Sequence, residues 1–524
     1  MFSSITSGAV KGIDSYLMQV EVDVSDGLPG FNMVGFMSSD VREAGLRVKV
    51  ALKNVGVRIP VAKITVNLSP AGIRKEGVVV DLPIAMGILT AIGNISEEAT
   101  KGVLFLGEIG LDGDIRPIKG TLPIVTKAKS LGYKTVILPD KNAPEGAVVP
   151  GMKVVGISSL QEAIAYLEAD EEERDTLIAP TKVDIREIFE KEEIYDSKLD
   201  FSDINGQSGA KRAAEIAAAG FHHILLVGPP GSGKSMIAKR IPTILPPLSV
   251  DESMEVTSIY SVAGMMPENK ALITRRPFMS THHSITETAL VGGGAVPRPG
   301  LISLAHRGIL FLDEMPEFSR TGLDVLRQPM EDKVINITRR KGTYSYPADF
   351  QLVGAMNPCP CGYYPDRNKC RCMPNEIKRY LGHISGPILD RIDIVTEVPK
   401  VDIADLSART RRAGETSAKI RERVMKARRI QEERFKGTKI SFNSQMSAKD
   451  IDKYCKLGGS EQAFMEQNFC RLDLSARSYH KILKLARTIA DLEDAENIGK
   501  MHLMEAFSYR MSDGKYWNNG KENE

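Results

Sequence analysis

The stretch ILLVGPPGSGKS spans residues 224–235 and predicts a strand, a loop and the start of a helix. Its four leading apolar residues are typical of a buried parallel strand, and GPPGSGKS fits the phosphate-binding pattern G-x-x-x-x-G-K-[ST] at every fixed position. The glycines allow a tight turn that points successive N–H groups at an anion, and the helix start adds its positive end. The stretch therefore predicts nucleotide binding, against the alternative of a glycine-rich turn without a ligand.

Composition limits the class of protein. The chain has 524 residues, of which 42% are hydrophobic and 26% charged, with a formal net charge of +2. We expect about two to four domains from this length. No run of 18 apolar residues occurs, and the N-terminus lacks the basic start and long apolar stretch of a secretory signal, so we expect a cytoplasmic protein. The nearly neutral total neither requires nor excludes nucleic acid.

Two further strands end in polar residues suited to nucleotide hydrolysis. GILFLDEM (308–315) places Asp313 and Glu314 after an apolar run, and FQLVGAMN (350–357) ends in Asn357. We expect Asp313, with Ser235, to hold Mg²⁺, Glu314 to polarise the attacking water, and Asn357 to orient that water. The alternative for Asn357 is a strand-end cap. The predicted nucleotide-binding residues are Gly228, Pro229, Pro230, Gly231, Ser232, Gly233, Lys234, Ser235 and Asp313.

Two arginines further along complete the predicted catalytic set. Arg391, in GPILDRID (386–393), resembles the arginine finger of Mg-chelatase and MCM-type ATPases, which would make the active form a ring. Pairing with Asp390 or Asp393 on its own surface is the alternative. Arg477, near the start of a predicted helix, matches the phosphate-reaching residue called sensor 2. Gln207 is either a helix-start residue or a contact to adenine.

The first 168 residues predict a separate α/β domain. Their strands and helices follow an order similar to the peptidase-like domain of Lon proteases and RadA, an S5 domain 2-like fold. The segment 75–87 contains no serine where Lon proteases carry their nucleophile, and Pro123 and Ile124 occupy the expected lysine position, although Lys127 and Lys129 are near. A Ser-Lys dyad needs both members, so we expect this domain to be non-proteolytic.

Several longer stretches resemble one family. They are ALVGGGAVPRPGLISLAHRGILFLDE (289–314), LRQPMED (326–332), MNPCPCG (356–362) and SGPILDRID (385–393). The chain is identified by them as similar to the ComM/YifB family of Mg-chelatase-like AAA+ ATPases over nearly its whole length. The resemblance implies a hexameric ATPase that acts on DNA, and ComM, a member of the family, promotes branch migration during natural transformation.

The expected architecture is an α/β multidomain protein. An S5 domain 2-like, Lon-protease-like domain (1–168) and a charged linker (169–200) precede an AAA+ P-loop domain of the Mg-chelatase/MCM type (201–400). A helical lid (401–515) and a disordered tail (516–524) follow. We expect a homo-oligomer, with ATP and Mg²⁺ as cofactors.

Two protruding segments are candidate DNA contacts. KVINITRRKGTYSYP (333–347), called here the basic hairpin, carries Arg339, Arg340 and Lys341 near its tip. Basic side chains there suit phosphates, and Tyr344 and Tyr346 would stack on bases. The alternative is a merely solubilising turn. The loop 292–300, with Arg298, is the second predicted contact and is called here the glycine hairpin.

Four of the six cysteines cluster in a segment we call the cysteine loop (356–374). Cys359, Cys361, Cys370 and Cys372 form C-x-C-x8-C-x-C, and four thiolates suit tetrahedral Zn²⁺ in a reducing compartment. Reduced loop cysteines are the alternative.

These patterns predict an ATP-driven motor on single-stranded or branched DNA. A chelatase-type remodeller of a protein or a tetrapyrrole-metal complex is the alternative, and a regulatory ATP switch is a third reading.

Overall fold

The computed structural model describes residues 1–75, 77, 79–191, 199–267, 270–294, 296–339, 342–400, 414–472 and 474–517. Its strands are β1 (Phe2–Lys11), β2 (Asp14–Ser25), β3 (Gly30–Val34), β4 (Lys63–Ser69), β5 (Val103–Phe105), β6 (Glu108–Ile109), β7 (Ile115–Arg116), β8 (Thr135–Pro139), β9 (Lys153–Ile157), β10 (Ile224–Val227), β11 (Phe278–Thr281), β12 (Gly292–Gly293), β13 (Arg298–Pro299), β14 (Ile309–Leu312), β15 (Val334–Arg339), β16 (Gly342–Pro347), β17 (Gln351–Met356) and β18 (Ile394–Glu397).

The α-helices fall into three groups along the chain. The N-terminal group is Ser39–Asn54, Asp81–Ala91, Glu97–Thr100, Thr121–Ser130, Ala143–Ala147, Leu160–Glu168, Glu171–Leu177 and Ile185–Lys191. The central group is Ser208–Gly220, Lys234–Arg240, Val250–Ala263, Glu287–Val291, Leu301–Leu304, Arg320–Asp324, Arg327–Asp332, Pro374–Leu381 and Gly386–Leu389. The C-terminal group is Ser417–Arg434, Ala448–Tyr454, Gly459–Arg471, Ala476–Leu492 and Lys500–Trp517. Within the described ranges, none combines the length and apolar character needed to cross a bilayer.

The N-terminal domain is built on a mixed seven-stranded sheet in the order β3-β4-β2-β1-β5-β8-β9. Alternating residues of β2 and β4 are buried, as the sequence pattern predicts for strands with one face on the core. A turn at Asp112 and Gly113 joins the short pair β6 and β7, and Gly113 has φ +95°. Pro123 and Ile124 are buried, so the position expected for the Lon lysine lies in packed core.

The segment predicted as a solvated linker is partly folded. Its residues form the helices Glu171–Leu177 and Ile185–Lys191, and Ile178, Val183 and Ile188 pack against the N-terminal core. Apolar residues spaced between the charges explain this difference: Ile178 and Val183 lie between the two helices, and the second helix turns Ile185, Ile188 and Phe189 towards the domain. Residues 192–198 lie outside the described part of the chain.

The central domain carries a parallel sheet in the order β11-β14-β17-β10-β18. All four residues of β10 and of β14 are buried, which fits strands covered on both faces. Val227 pairs with Met356, and Leu312 pairs with Gly354. Because the carboxyl ends of parallel strands open at one edge, this register brings the loops after β10, β14 and β17 together.

The N-terminal and central domains meet along the helix Val250–Ala263. The N–H of Gly120 donates to the carbonyl of Ser261 over 3.2 Å, and Leu272 belongs to the N-terminal hydrophobic core. A second contact joins the β1–β2 turn to the basic hairpin, where Gly12 lies against the backbone of Ser345. The N-terminal domain thus supports the hairpin from its base.

The C-terminal helices pack on the central domain. Phe221 stacks on Phe442 with ring centroids 4.8 Å apart, and Gln431 donates to the carbonyl of Ala219 over 3.0 Å. The last helix extends to Trp517, and Tyr516 is 6% exposed. Two residues placed in the predicted disordered tail are therefore packed, since both are aromatic. Residues 518–524 lie outside the described residues.

Candidate active site

Lys234 lies at the centre of the phosphate-binding loop. It begins the helix Lys234–Arg240, and its Nζ donates to the carbonyls of Gly228 and Pro229 over 2.8 and 3.0 Å and to Oδ1 of Asn357 over 3.1 Å. Burial lowers the pKa of Lys234, and Asp313 and Glu314 oppose that shift. The lysine is thus held where the loop N–H groups and the helix start converge, as a phosphate site requires.

Ser235 and Asp313 face each other as the sequence predicts. The Ser235 hydroxyl donates to Oδ2 of Asp313 over 2.7 Å. Adjacent oxygens of an octahedral Mg²⁺ shell are about 2.9 Å apart, because Mg–O distances are about 2.1 Å. The two oxygens therefore fit neighbouring positions on a magnesium ion, which would bridge the protein to the nucleotide phosphates.

Glu314 is set apart by its backbone. Its φ of 50° is in the left-handed region, which a residue with a side chain seldom adopts and which is common at functional sites. The carboxylate is half exposed at the mouth of the cleft and lies 3.6 Å from Nδ1 of His283. His283 packs on His282 with ring centroids 3.9 Å apart. Glu314 and His283 lie far apart in the sequence, so only the fold brings them together.

Asn357 joins the two loops of the cleft. Its side chain accepts from Lys234, and its backbone N–H bonds to the Tyr380 hydroxyl, a contact without a sequence signal. Together the loops enclose an open cleft of about 270 Å³. Gln207 starts the helix Ser208–Gly220, and its side chain donates to the carbonyl of Pro399 over 2.5 Å. The same side chain also donates to the carbonyl of Ser232 in the phosphate loop over 3.4 Å, so both interpretations of Gln207 stay predictions.

A second pocket, about 280 Å³ in volume, contains both predicted catalytic arginines and is called here the arginine pocket. Arg391 pairs with Glu331 and donates to the carbonyl of Pro387 over 2.7 Å, so its alternative pairing with Asp390 or Asp393 is not observed. Arg477 is exposed and has no ion-pair partner among the described residues. The arginine pocket and the phosphate cleft share no lining residue.

A buried polar network holds the segment that carries Arg391. Lys481 and Arg510 both donate to the carbonyl of Ile392, over 2.9 and 3.0 Å. Asp393 accepts from Nδ1 of His222 over 3.2 Å, and hydrogen bonding with nearby positive charge holds the pKa of Asp393 low despite its burial. These bonds tie the end of the sheet to the C-terminal helices, so Arg391 and Arg477 are fixed relative to each other.

The two hairpins lie side by side. The Tyr346 hydroxyl donates to the carbonyl of Pro297 over 2.7 Å, and Arg298 and Arg339 are exposed. The prediction that the tyrosines stack on bases is wrong, because Tyr344 and Tyr346 are 8% and 0% exposed. Both lie on the face of β16 that is turned to the core, because residues two apart in a strand share a face. Arg340 and Lys341, the other predicted DNA contacts, lie outside the described residues.

The four cysteines of the cysteine loop converge. Sγ of Cys359 lies 3.4 Å from that of Cys361 and 3.8 Å from that of Cys370, and all four sulfurs lie within 4.8 Å of one another. Tetrahedral zinc with Zn–S bonds of about 2.3 Å places its sulfurs about 3.8 Å apart, so the set fits zinc.

The acidities of these thiols also favour a cation. Burial disfavours the Cys361 thiolate, but backbone N–H groups of Tyr363 and Arg371 outweigh it and lower the pKa to about 6. Burial raises the pKa of Cys372 to about 12, and the neighbouring sulfurs add to that rise. Four thiolates this close repel one another, and a divalent cation would remove the repulsion.

A glycine-rich loop with its lysine, followed by carboxylates and an asparagine at the same edge of a parallel sheet, is the arrangement found in AAA+ P-loop ATPases. Family models agree: magnesium chelatase, subunit ChlI, matches residues 200–406, subunit ChlI of Mg-chelatase matches 20–142, and the ChlI C-terminal model matches 414–510. The chain belongs to the ComM/YifB family of Mg-chelatase-like AAA+ ATPases.

The relatives support this membership over the full length. The competence protein ComM of Haemophilus influenzae is 42% identical over 97% of both chains. YifB of Escherichia coli is 41% identical over 98% of this chain and 97% of its own. The DNA repair protein RadA of Halalkalibacterium halodurans is 31% identical over 24% of this chain and 27% of its own. The predicted fold class is confirmed, with a Lon-like N-terminal domain, an ATPase domain and a helical C-terminal region.

Proposed function

We propose that this chain is a subunit of an ATP-driven ring, in the cytoplasm, that moves along single-stranded or branched DNA. The activity we propose is helicase or branch migration in recombination or natural transformation. The relatives ComM and RadA carry names tied to competence and DNA repair, which favours a DNA substrate.

The observation that best supports a ring is that the phosphate cleft and the arginine pocket are separate. The phosphate cleft holds one lysine and two carboxylates, Asp313 and Glu314, so it has too little positive charge for the phosphate oxygens of a hydrolysing nucleotide. Arg391 and Arg477 lie together in a different pocket. A hexamer that sets the arginine pocket of one subunit against the cleft of the next would supply the missing charge.

Within one such site each residue has a distinct task. Lys234 and the loop N–H groups bind the β- and γ-phosphates. Ser235 and Asp313 would hold Mg²⁺, which would supply positive charge to the phosphates. Glu314 accepts the proton of the attacking water, and Asn357 orients that water. Arg391 stabilises the charge that develops on the γ-phosphate.

The paired hairpins are the proposed DNA contact. Arg298 and Arg339 are exposed on strands β13 and β15, and the Tyr346 bond and the β1–β2 turn hold these strands in place. Arg340 and Lys341 add two positive charges by sequence. Phosphate contacts by such residues would bind DNA without sequence preference.

The test is ATP hydrolysis with and without single-stranded and branched DNA. We expect DNA to stimulate hydrolysis, and the double variant Arg298→Ala/Arg339→Ala to bind DNA about tenfold more weakly with a shallower salt dependence. Arg42→Ala, which removes an exposed arginine from the N-terminal helix, is the matched control. The proposal fails if neither form of DNA stimulates hydrolysis and neither has its strands moved by the protein.

The alternative is a chelatase-type remodeller of a protein or a tetrapyrrole-metal complex. The family models named for magnesium chelatase favour it. It predicts an ATPase rate indifferent to DNA and to the hairpin arginines. The same assay therefore separates the two functions.

Zinc in the cysteine loop is part of the proposal. We expect about one zinc per chain, bound by Cys359, Cys361, Cys370 and Cys372. Metal analysis of protein purified without added metal gives the answer, and a content well below one per chain would contradict it.

A further inference from the structure

The cysteine loop touches the phosphate-binding loop directly. Gly362, between Cys361 and Cys370, has φ +84°, and a Cβ placed on it would lie 2.3 Å from Cδ and 2.8 Å from Cγ of Pro230. No real Cβ approaches another carbon so closely, so only glycine lets the two backbones pack here. Pro230 is the residue of the phosphate loop that receives this contact.

A second connection runs through the strand that starts the cysteine loop. The N–H of Gly228 donates to the carbonyl of Met356 over 3.1 Å, so both loops leave the sheet side by side. Asn357, two residues before Cys359, accepts from Lys234. Movement of Cys359 would therefore reach the lysine through a short run of backbone.

The far side of the cysteine loop rests on the end of the chain. Tyr364 packs edge-on against Tyr516 with ring centroids 6.5 Å apart, and the indole N–H of Trp517 donates to the carbonyl of Leu381 over 3.2 Å. Between Met356 and Pro374 the described chain forms no helix or strand. Its backbone hydrogen bonds are short-range turns, such as that from the N–H of Gly362 to the carbonyl of Cys359, and a metal bound by four thiolates would cross-link these turns.

We propose that the zinc-loaded cysteine loop positions the phosphate-binding loop, so that metal occupancy sets the affinity for nucleotide. The inference rests on the proposed zinc site. Gly362 and Pro230 form the contact, and Asn357 forms the second link. Zinc takes no part in the hydrolysis, because its four positions are filled by sulfur and leave none open for water or phosphate.

Three variants of the full chain test the inference through two readouts, zinc content and the affinity for a fluorescent ADP analogue. Cys372→Ser should lose zinc and bind the analogue about tenfold more weakly, since small misplacements of binding groups are costly. Gly362→Ala keeps all four cysteines. It should keep zinc yet lose affinity by a similar factor, which a purely structural role of the loop would not produce.

The matched control is Lys369→Ala, on the same loop. Lys369 is exposed and pairs with Asp366, so its removal should change neither zinc content nor affinity. Wild-type protein stripped of metal by a chelator should behave as Cys372→Ser does and recover when zinc alone is returned.

The outcomes distinguish the proposed zinc site from the proposed effect of zinc on nucleotide affinity. Wild-type protein without zinc would overturn the zinc site and this inference with it, and would leave the ATPase assignment standing. Zinc-free Cys372→Ser, or Gly362→Ala, with wild-type nucleotide affinity would overturn the inference alone. If Cys372→Ser fails to fold, as judged by circular dichroism, the wild-type protein stripped of metal and reloaded with zinc decides the question.

Discussion

The phosphate cleft and the arginine pocket differ in how their charged groups are satisfied. In the cleft, Lys234 makes three hydrogen bonds and Ser235 pairs with Asp313, so most polar groups already have partners from the same chain. In the arginine pocket, Arg477 is exposed without an ion-pair partner among the described residues, and Arg391 pairs with the exposed Glu331. The phosphate cleft is a preformed site, whereas the arginine pocket presents guanidinium groups that could still pair with an anion.

This contrast favours the proposal that neither region is an active site alone. Lysine and magnesium bind the phosphates before reaction, while a guanidinium acts on charge that appears in the transition state. Changes in the cleft should therefore alter nucleotide binding, and changes in the arginine pocket should alter turnover.

The largest effect is expected from Arg391→Ala. Hydrolysis should fall about 1,000-fold or more, because an arginine finger contributes that much to turnover, while nucleotide affinity stays near wild type. Steady-state ATPase assays and nucleotide titration measure the two quantities, with Arg379→Ala as an exposed-arginine control. A parallel loss of affinity would place Arg391 in the binding site of its own chain.

Lys234→Ala should affect nucleotide affinity, which Arg391→Ala should leave near wild type. Removing the ammonium deprives the bound phosphates of their main cation, so we expect nucleotide affinity to fall and hydrolysis to drop about 100-fold. The same titration and ATPase assays apply. Unchanged affinity would contradict the role of the cleft as the binding half.

Arg477→Ala should have a smaller effect of the same kind as Arg391→Ala. Because Arg477 shares the arginine pocket, turnover should fall about tenfold with affinity retained. Arg471→Ala, an exposed arginine on the preceding helix, is the control. If nucleotide affinity falls instead, Arg477 acts on the nucleotide bound by its own chain and does not belong with Arg391.

The smallest effect concerns stability and pH. Burial lowers the pKa of His223, which lines the arginine pocket, to about 4, against about 6.5 when unfolded. Between these values the unfolded chain binds more protons, so stability is full above pH 6.5 and decreases as the pH falls towards 4, by about 3 kcal/mol. Thermal midpoints across this range should fall less for His223→Gln. Equal pH dependence in both proteins would contradict the assignment.

Much of the cleft could be predicted because its signals are local. The loop at Lys234, the acidic pair at Asp313 and the strand end at Asn357 each lie within a few residues of an apolar run. The parallel register then brings them together at one edge. The N-terminal α/β domain was predictable for the same reason, since its helix Ser39–Asn54 buries apolar residues at helical spacing.

The remainder depended on contacts distant in sequence. Tyr344 and Tyr346 lie on the same face of a strand. Whether that face is buried depends on contacts with distant residues, such as the hydrogen bond from Tyr346 to the carbonyl of Pro297. The arginine pocket unites Arg391 and Arg477 through packing of the last helices, which no local pattern reports. Tyr516 and Trp517 are packed within a polar stretch whose average composition concealed them.

The central claim, that each active site is shared between subunits, is tested most directly by mixing two inactive variants. Lys234→Ala lacks the cleft lysine but keeps Arg391, and Arg391→Ala has the opposite defect. Rings co-expressed from equal amounts of both should regain hydrolysis at about a quarter of their interfaces, where an intact cleft meets an intact arginine. Mixed rings as inactive as either variant alone would contradict a shared site.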